Sequence, residues 1–190
     1  MDRDLPELHA RALDATTKVV AGVGSGQWDT FMETANTTVR MLVGHMVGEN
    51  SQVATILSGQ PVEPYRGVAV AALLGEDPKA AWDRAAASAV AAFRVPGALD
   101  ATCPVNPAAP MTGVDYCGNR FVDVLVHGWE VANVTGQDSR LDPELAEAAR
   151  SVIEPSILKL RAEGIIREAV AVPDGASAQT RLLSYFGFEG

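Results

Sequence analysis

The stretch FVDVLVHGW, residues 121–129, decides the fold class of this chain, because it is apolar except at Asp123 and His127. A helix that is hydrophobic all round is a buried helix. Asp123 and His127 are four residues apart, so their side chains lie one above the other on one helix face. An unpaired carboxylate in an apolar interior is very costly. The stretch therefore predicts a buried central helix whose acid needs a partner.

A second apolar stretch, MLVGHMVG at residues 41–48, holds His45 as its only ionisable residue. Neutral imidazole and carboxylate are both zinc ligands, and three protein ligands leave a fourth position for water or substrate. Helix bundles build metal sites in this way, from inward-facing residues on facing helices. We therefore predict that His45, Asp123 and His127 converge on one divalent metal, with zinc as the first choice and nickel and iron as alternatives.

The same residues also allow a structural interpretation without a metal. Asp123 would then pair with His127 alone, and His45 would be a core histidine bonded to a carbonyl. Glu49, four residues after His45, is the one candidate for a catalytic residue: a general base near a bound water, or else a fourth ligand or an acceptor for an imidazole N–H. The alternative for Glu49 is a solvated acid at the mouth of the bundle. Glu130 is either a partner of the site or a surface acid.

Composition narrows the class of protein. Of the 190 residues, 47% are hydrophobic and only 6% are aromatic, which favours packed helices in a single domain. The formal net charge of -9 predicts that neither nucleic acid nor a membrane surface is a partner. No apolar run reaches the length of about 18 residues that a membrane span needs, and the N-terminus lacks the pattern of a signal peptide. Two cysteines, Cys103 and Cys117, indicate reduced thiols in a cytoplasmic protein.

Helix start and stop signals predict one mainly helical domain over residues 1–190. Helices are expected over 5–21, from 37 or 38 to about 58, from 77 to about 94, from 112 to about 135, from 142 to about 163 with a kink or break at Pro155, and over 177–187. A helical turn is favoured over a strand at 68–74, and residues 170–173 indicate a short extended segment. Residues 60–67 are expected to be a connection. The proline-rich residues 95–111 predict a long irregular connection, against which a small substrate would lie.

Three stretches resemble a known family. They are TVRMLVGHMVG at 38–48, DVLVHGWEVA at 123–132 with TG at 135–136, and the tail that begins VPDGASAQTRLL at 172. These stretches resemble the actinobacterial DinB-like metal-binding proteins, which belong with the N-terminal domain of mycothiol-dependent maleylpyruvate isomerase. The resemblance implies an all-α, DinB/YfiT-like four-helix bundle with long connections, a short C-terminal appendage and a divalent metal near one end.

The resemblance also implies a ligand set and a chemistry. A histidine late in the family's second helix matches His45, and an acid-x-x-x-His pair on a later helix matches Asp123 and His127. Mycothiol or a similar low-molecular-weight thiol is implied as cosubstrate, with a small molecule as substrate. The isomerase also carries a C-terminal domain that contributes to its active site, and we do not expect that domain in this sequence of 190 residues.

We therefore expect a metal-dependent thiol S-transferase or isomerase rather than maleylpyruvate isomerase itself. The alternative is a non-catalytic metal or small-molecule binding protein with a regulatory role. Bundles of this kind can pair through apolar helix faces, so a homodimer is compatible with this fold.

Overall fold

A computed structural model describes residues 4–63, 68–106 and 108–189 of the chain, which are mainly helical. The helices are α1 (Leu5–Gly22), α2 (Val39–Leu57), α3 (Val68–Ala72), α4 (Pro78–Phe93), α5 (Gly113–Val134), α6 (Pro143–Ile153), α7 (Ile157–Ala162) and α8 (Ala178–Ser184). Two antiparallel strand pairs join β1 (Phe31–Met32) to β2 (Thr37–Thr38) and β3 (Thr102–Cys103) to β4 (Met111–Thr112). Residues 64–67 of the predicted connection lie outside the described residues.

Side-chain caps start the main helices at the predicted places. Thr38 and Thr112 each accept a hydrogen bond from the backbone N–H three residues on, at the starts of α2 and α5. Asp77 and Asp142 cap α4 and α6 in the same way, and each is followed by proline. These caps satisfy N–H groups that a helix leaves unpaired at its start.

Helices α1, α2, α4 and α5 form the four-helix bundle. Helix α1 packs on α5 and α4, and α2 packs on the same two helices. Each helix contributes fully buried side chains to one shared core, such as Leu13, Met46, Trp82 and Phe121. Burial of each such side chain stabilises the fold by about 1.5–3 kcal/mol. The predicted all-α bundle is confirmed.

Gly128 allows helices α1 and α5 to approach closely. A Cβ at this position would overlap the hydroxyl of Thr16 on α1. The same hydroxyl donates a hydrogen bond of 3.1 Å to the carbonyl oxygen of Val124. The glycine next to His127 is therefore explained by helix packing.

Some connections differ from the sequence-based expectation. Residues 95–111 are not wholly irregular, because a 3-10 turn at Ala98–Asp100 precedes β3, and β3 pairs with β4 just before α5. This pairing returns the chain to the start of α5, where the Gly113 N–H bonds the Ala101 carbonyl at 2.8 Å. The segment 170–173 forms no strand, and its Val170 N–H bonds instead to the carbonyl of Ser184.

Helices α6, α7 and α8 make the C-terminal appendage. As Pro155 predicted, a 3-10 turn at Glu154–Ser156 separates α6 from α7. Helix α6 packs on α5 and on α8, and the Phe188 ring beyond α8 stacks on Trp129 of α5 at 5.4 Å. The appendage thus lies against the helix that carries Asp123. None of the helices in the described ranges combines the length and the hydropathy that crossing a membrane requires.

Candidate metal centre

The candidate site lies between helices α2 and α5. These helices run antiparallel, since His45 on α2 lies beside His127, whereas Glu49, one turn later on α2, lies beside Arg120 near the start of α5. Asp123 lies one turn before His127 and directs a carboxylate oxygen toward both histidines. The structure thus brings together the three residues of the predicted site.

One donor atom from each of these three side chains lies within 4.8 Å of the other two. Oδ1 of Asp123 is 3.3 Å from Nε2 of His127 and 4.0 Å from Nε2 of His45. Ligands of tetrahedral zinc lie about 2.0–2.2 Å from the ion and therefore about 3.4 Å from one another. The Asp123–His127 distance fits this spacing, and the His45 ring has to approach by roughly 1 Å. The His45 side chain is 44% exposed and so has room to move.

Glu130 orients the imidazole of His127. Its Oε2 lies 2.7 Å from Nδ1 of His127, and its side chain is almost completely buried. A carboxylate at Nδ1 leaves Nε2 as the nitrogen that faces Asp123. The sequence left Glu130 as either a partner of the site or a surface acid, and the structure supports the first alternative. In the sequence, the only signal for this role was the spacing of three residues between His127 and Glu130.

Arg120 holds the second oxygen of Asp123. Its buried guanidinium pairs with Oδ2 of Asp123 and, at 2.6 Å, with Oε2 of Glu49. Oδ1 of Asp123 consequently remains directed at the histidines. Glu49 lies in an ion pair, outside the three-residue cluster, so its catalytic role stays a prediction. Sequence analysis missed Arg120, although its spacing of three residues from Asp123 was available as a signal.

Electrostatics favour a positive charge at the centre of the cluster. Burial opposes ionisation of Asp123, but Arg120 and His127 outweigh burial and hold the pKa of Asp123 well below its usual range. Burial also opposes protonation of His127, yet Asp123 and Glu130 outweigh it and raise the pKa of His127 to about 10. The two acids thus hold a cation between them, a role that either a proton or a metal ion can fill.

A cavity of about 510 Å³ opens beside the cluster. Asp123, His127 and Glu130 line it, and Val105 and Met111 of the 95–111 connection line it as well. Small-molecule sites in proteins have volumes of about 300–1,000 Å³. The cavity is therefore large enough for a small molecule in direct contact with two of the candidate ligands, Asp123 and His127.

The third histidine and both cysteines are not part of the cluster. His9 is fully buried against Phe93, and burial together with Arg120 lowers its pKa to about 3. Cys103 and Cys117 are free and buried. Burial raises the pKa of Cys117 to about 12 and also raises that of Cys103. Because the thiolate is the reactive form, neither side chain is suited to be a nucleophile.

Comparisons with known proteins show the family of the chain. The family model described as the mycothiol maleylpyruvate isomerase N-terminal domain matches residues 9–132, which include His45, Asp123 and His127. Two curated Mycobacterium tuberculosis proteins, one from each of two strains and both called uncharacterized, are similar to the chain. Each is 35% identical over 151 residues, which cover 77% of this chain and 78% of the relative. No solved structure matches the chain significantly.

Proposed function

Because the chain belongs to the mycothiol maleylpyruvate isomerase N-terminal domain family, we propose that it binds one divalent metal ion and acts with a low-molecular-weight thiol on a small molecule. The observation that carries the proposal is the convergence of His45, Asp123 and His127 from two facing helices, with donor atoms within 4.8 Å of one another. These three side chains would hold the ion and leave a further coordination position open.

The surroundings of the three side chains support this assignment. Arg120 and Glu130 fix Asp123 and His127 with Oδ1 and Nε2 toward the same point. Two imidazoles and one carboxylate suit zinc, and nickel and iron(II) accept the same ligands. When bound, such an ion supplies the Lewis acidity that makes a thiol or a water nucleophilic at neutral pH.

The thiol has to come from outside the chain. Both cysteines are buried, with raised pKa values, and the description of the matching family names mycothiol. In the proposed reaction the thiol of mycothiol, or of a similar compound, loses its S–H proton, and its sulfur bonds to one carbon of an electrophilic double bond. The π bond breaks and the neighbouring carbon takes up a proton, which gives the conjugate; loss of the thiol after rotation about the new single bond gives the isomer. The reaction class is S-transfer or thiol-dependent isomerisation. A reducing cytoplasm is the location that suits both a free thiol and unpaired cysteines.

A non-catalytic binding protein is the second candidate function, and the ion pairs of the site favour it. Each acid that lines the cavity already has a partner: Glu49 and Asp123 contact Arg120, and Glu130 contacts His127. Among the described residues, the cavity therefore offers no unpaired carboxylate to act as a general base. A regulatory protein that binds a metal and a small molecule has no need of one.

Mass spectrometry of zinc-loaded protein mixed with mycothiol and a panel of small electrophiles separates these two functions. We expect a thiol conjugate or an isomer to form faster than without protein, and expect the acceleration to disappear in Asp123→Ala and after chelation. His9→Leu is the matched control, because it removes the histidine outside the cluster. If zinc binds but no thiol or electrophile turns over, the catalytic proposal is wrong and the binding protein remains.

A further inference from the structure

The C-terminal appendage contributes to the lining of the cavity beside the candidate metal centre. Five apolar residues that follow α6 in the appendage line it, and we call them the tail wall: Leu160, Ile165, Ile166, Phe186 and Phe188. All five lie beyond residue 132, where the match to the family ends. Part of the apolar lining of the cavity therefore comes from outside the matched domain.

Contacts with the bundle hold the tail wall in place. Phe188 stacks on Trp129 of α5 at 5.4 Å, and Phe186 stacks on Phe188 at 6.5 Å. The Val170 N–H bonds to the carbonyl of Ser184, which ties the two halves of the appendage together. The apolar surface is consequently part of the folded protein, and it can select a ligand by shape.

One cation at this cavity has no counter-charge. The Nη2 of Arg167 donates hydrogen bonds of 2.9 and 2.8 Å to the carbonyl oxygens of Glu33 and Thr34. In the part of the chain that the structure describes, no carboxylate lies within ion-pair distance of Arg167. Arg120, the other arginine of the cavity, is neutralised by two acids. Arg167 is exposed at the cavity, and its guanidinium keeps N–H groups that can bind the anionic group of a ligand in that cavity.

We propose that the cavity binds a small, mainly apolar molecule that carries one anionic group. Its apolar body packs on the tail wall, and its anionic group is bound by Arg167. The chain as a whole is acidic, with a net charge of -9, so this local positive charge is what admits an anion here. The inference rests on the proposed function, because it names the class of substrate that meets the metal ligands.

Two fluorescent probes with the same apolar body test the proposal. Anilinonaphthalene sulfonate carries an anionic group, and phenylnaphthylamine does not. Fluorescence titration of the zinc-loaded protein is expected to show tighter binding of the sulfonate. Arg167→Gln should weaken binding of the sulfonate probe about tenfold, as expected for the loss of a charged hydrogen bond. The affinity for the neutral probe should stay unchanged. Arg84→Gln, at an exposed position outside the cavity, is the charge-matched control.

A second pair of variants locates the apolar body. Ile166→Trp fills part of the cavity and should weaken the binding of both probes. Leu158→Trp is the control, because Leu158 is exposed and does not line the cavity, and it should change the affinity for neither probe. Equal affinity for both probes, or a sulfonate affinity that Arg167→Gln leaves unchanged, overturns the inference. Zinc content is measured in the same samples. Zinc without discrimination between the probes refutes only this inference, and discrimination without zinc refutes only the proposed metal site.

Discussion

Replacing Arg120 with methionine is predicted to destabilise the metal-free protein strongly. The side chain of Arg120 is 6% exposed, and its guanidinium neutralises two acids, Asp123 and Glu49. Removing one partner of a buried ion pair costs about 3–5 kcal/mol, because a charge is left without compensation. Glu49 is 33% exposed and can be hydrated again, and Asp123 keeps His127 as a partner. We therefore expect a loss of about 3 kcal/mol, at the lower end of that range.

Urea unfolding in the presence of a chelator measures this loss. With a slope of about 2 kcal/mol per molar urea, the midpoint should fall by about 1.5 M. Arg94→Met is the matched control, because Arg94 pairs with Glu7 at the surface and both side chains are more than half exposed. Surface pairs of this kind contribute about 0–1 kcal/mol.

A lysine variant keeps the prediction testable if Arg120→Met does not fold. Arg120→Lys retains the charge, but its single ammonium cannot bridge Asp123 and Glu49 as the guanidinium fork does. Its stability should therefore lie between those of the wild type and the methionine variant. If both Arg120 variants unfold at the same urea concentration as Arg94→Met, the argument that Arg120 holds the site together is refuted.

Three further predictions concern His9, Gly128 and Glu130. The folded pKa of His9, about 3, lies below its ordinary value of 6.5, so the stability it contributes is complete above pH 6.5 and is lost as the pH falls toward 3. Between pH 7 and pH 5, wild type should therefore lose about 2 kcal/mol more than His9→Leu in urea unfolding, and equal losses would contradict this. Gly128→Ala should lower the free energy of unfolding in urea by about 1–3 kcal/mol, because the added Cβ overlaps Thr16. An unchanged urea midpoint would show that α1 can move aside. Glu130→Gln should weaken zinc binding about 10–100-fold in a chelator competition, because Nδ1 of His127 loses its carboxylate, and an unchanged affinity would show that Glu130 does not support the site.

The main helices of the bundle and helix α6 could be predicted from the sequence, because their signals are local. Thr38, Asp77, Thr112 and Asp142 are caps that act within three residues of themselves. The strand pairs could not be predicted, because each strand has only two residues and so shows no alternation. In such short strands the pairing follows from where the bundle places the loop ends.

The candidate site was predictable only in part, and for a similar reason. His45, Asp123 and His127 are conspicuous because they are the ionisable residues of two apolar stretches. The role of Arg120 depends on Glu49, which is 71 residues away in the sequence and becomes its neighbour only when α2 packs against α5. The tail wall likewise requires the C-terminal appendage to fold back on α5, which no local pattern indicates.

Zinc content per chain tests the central claim most directly. Purified protein is equilibrated with zinc, dialysed and analysed for metal, together with His45→Ala, Asp123→Ala and His9→Leu. The proposed ligand set predicts about one zinc per chain for wild type and for His9→Leu, and a loss of most of that zinc in the other two variants. Wild-type protein that holds no metal, or a His45→Ala variant that holds as much zinc as wild type, would contradict the account.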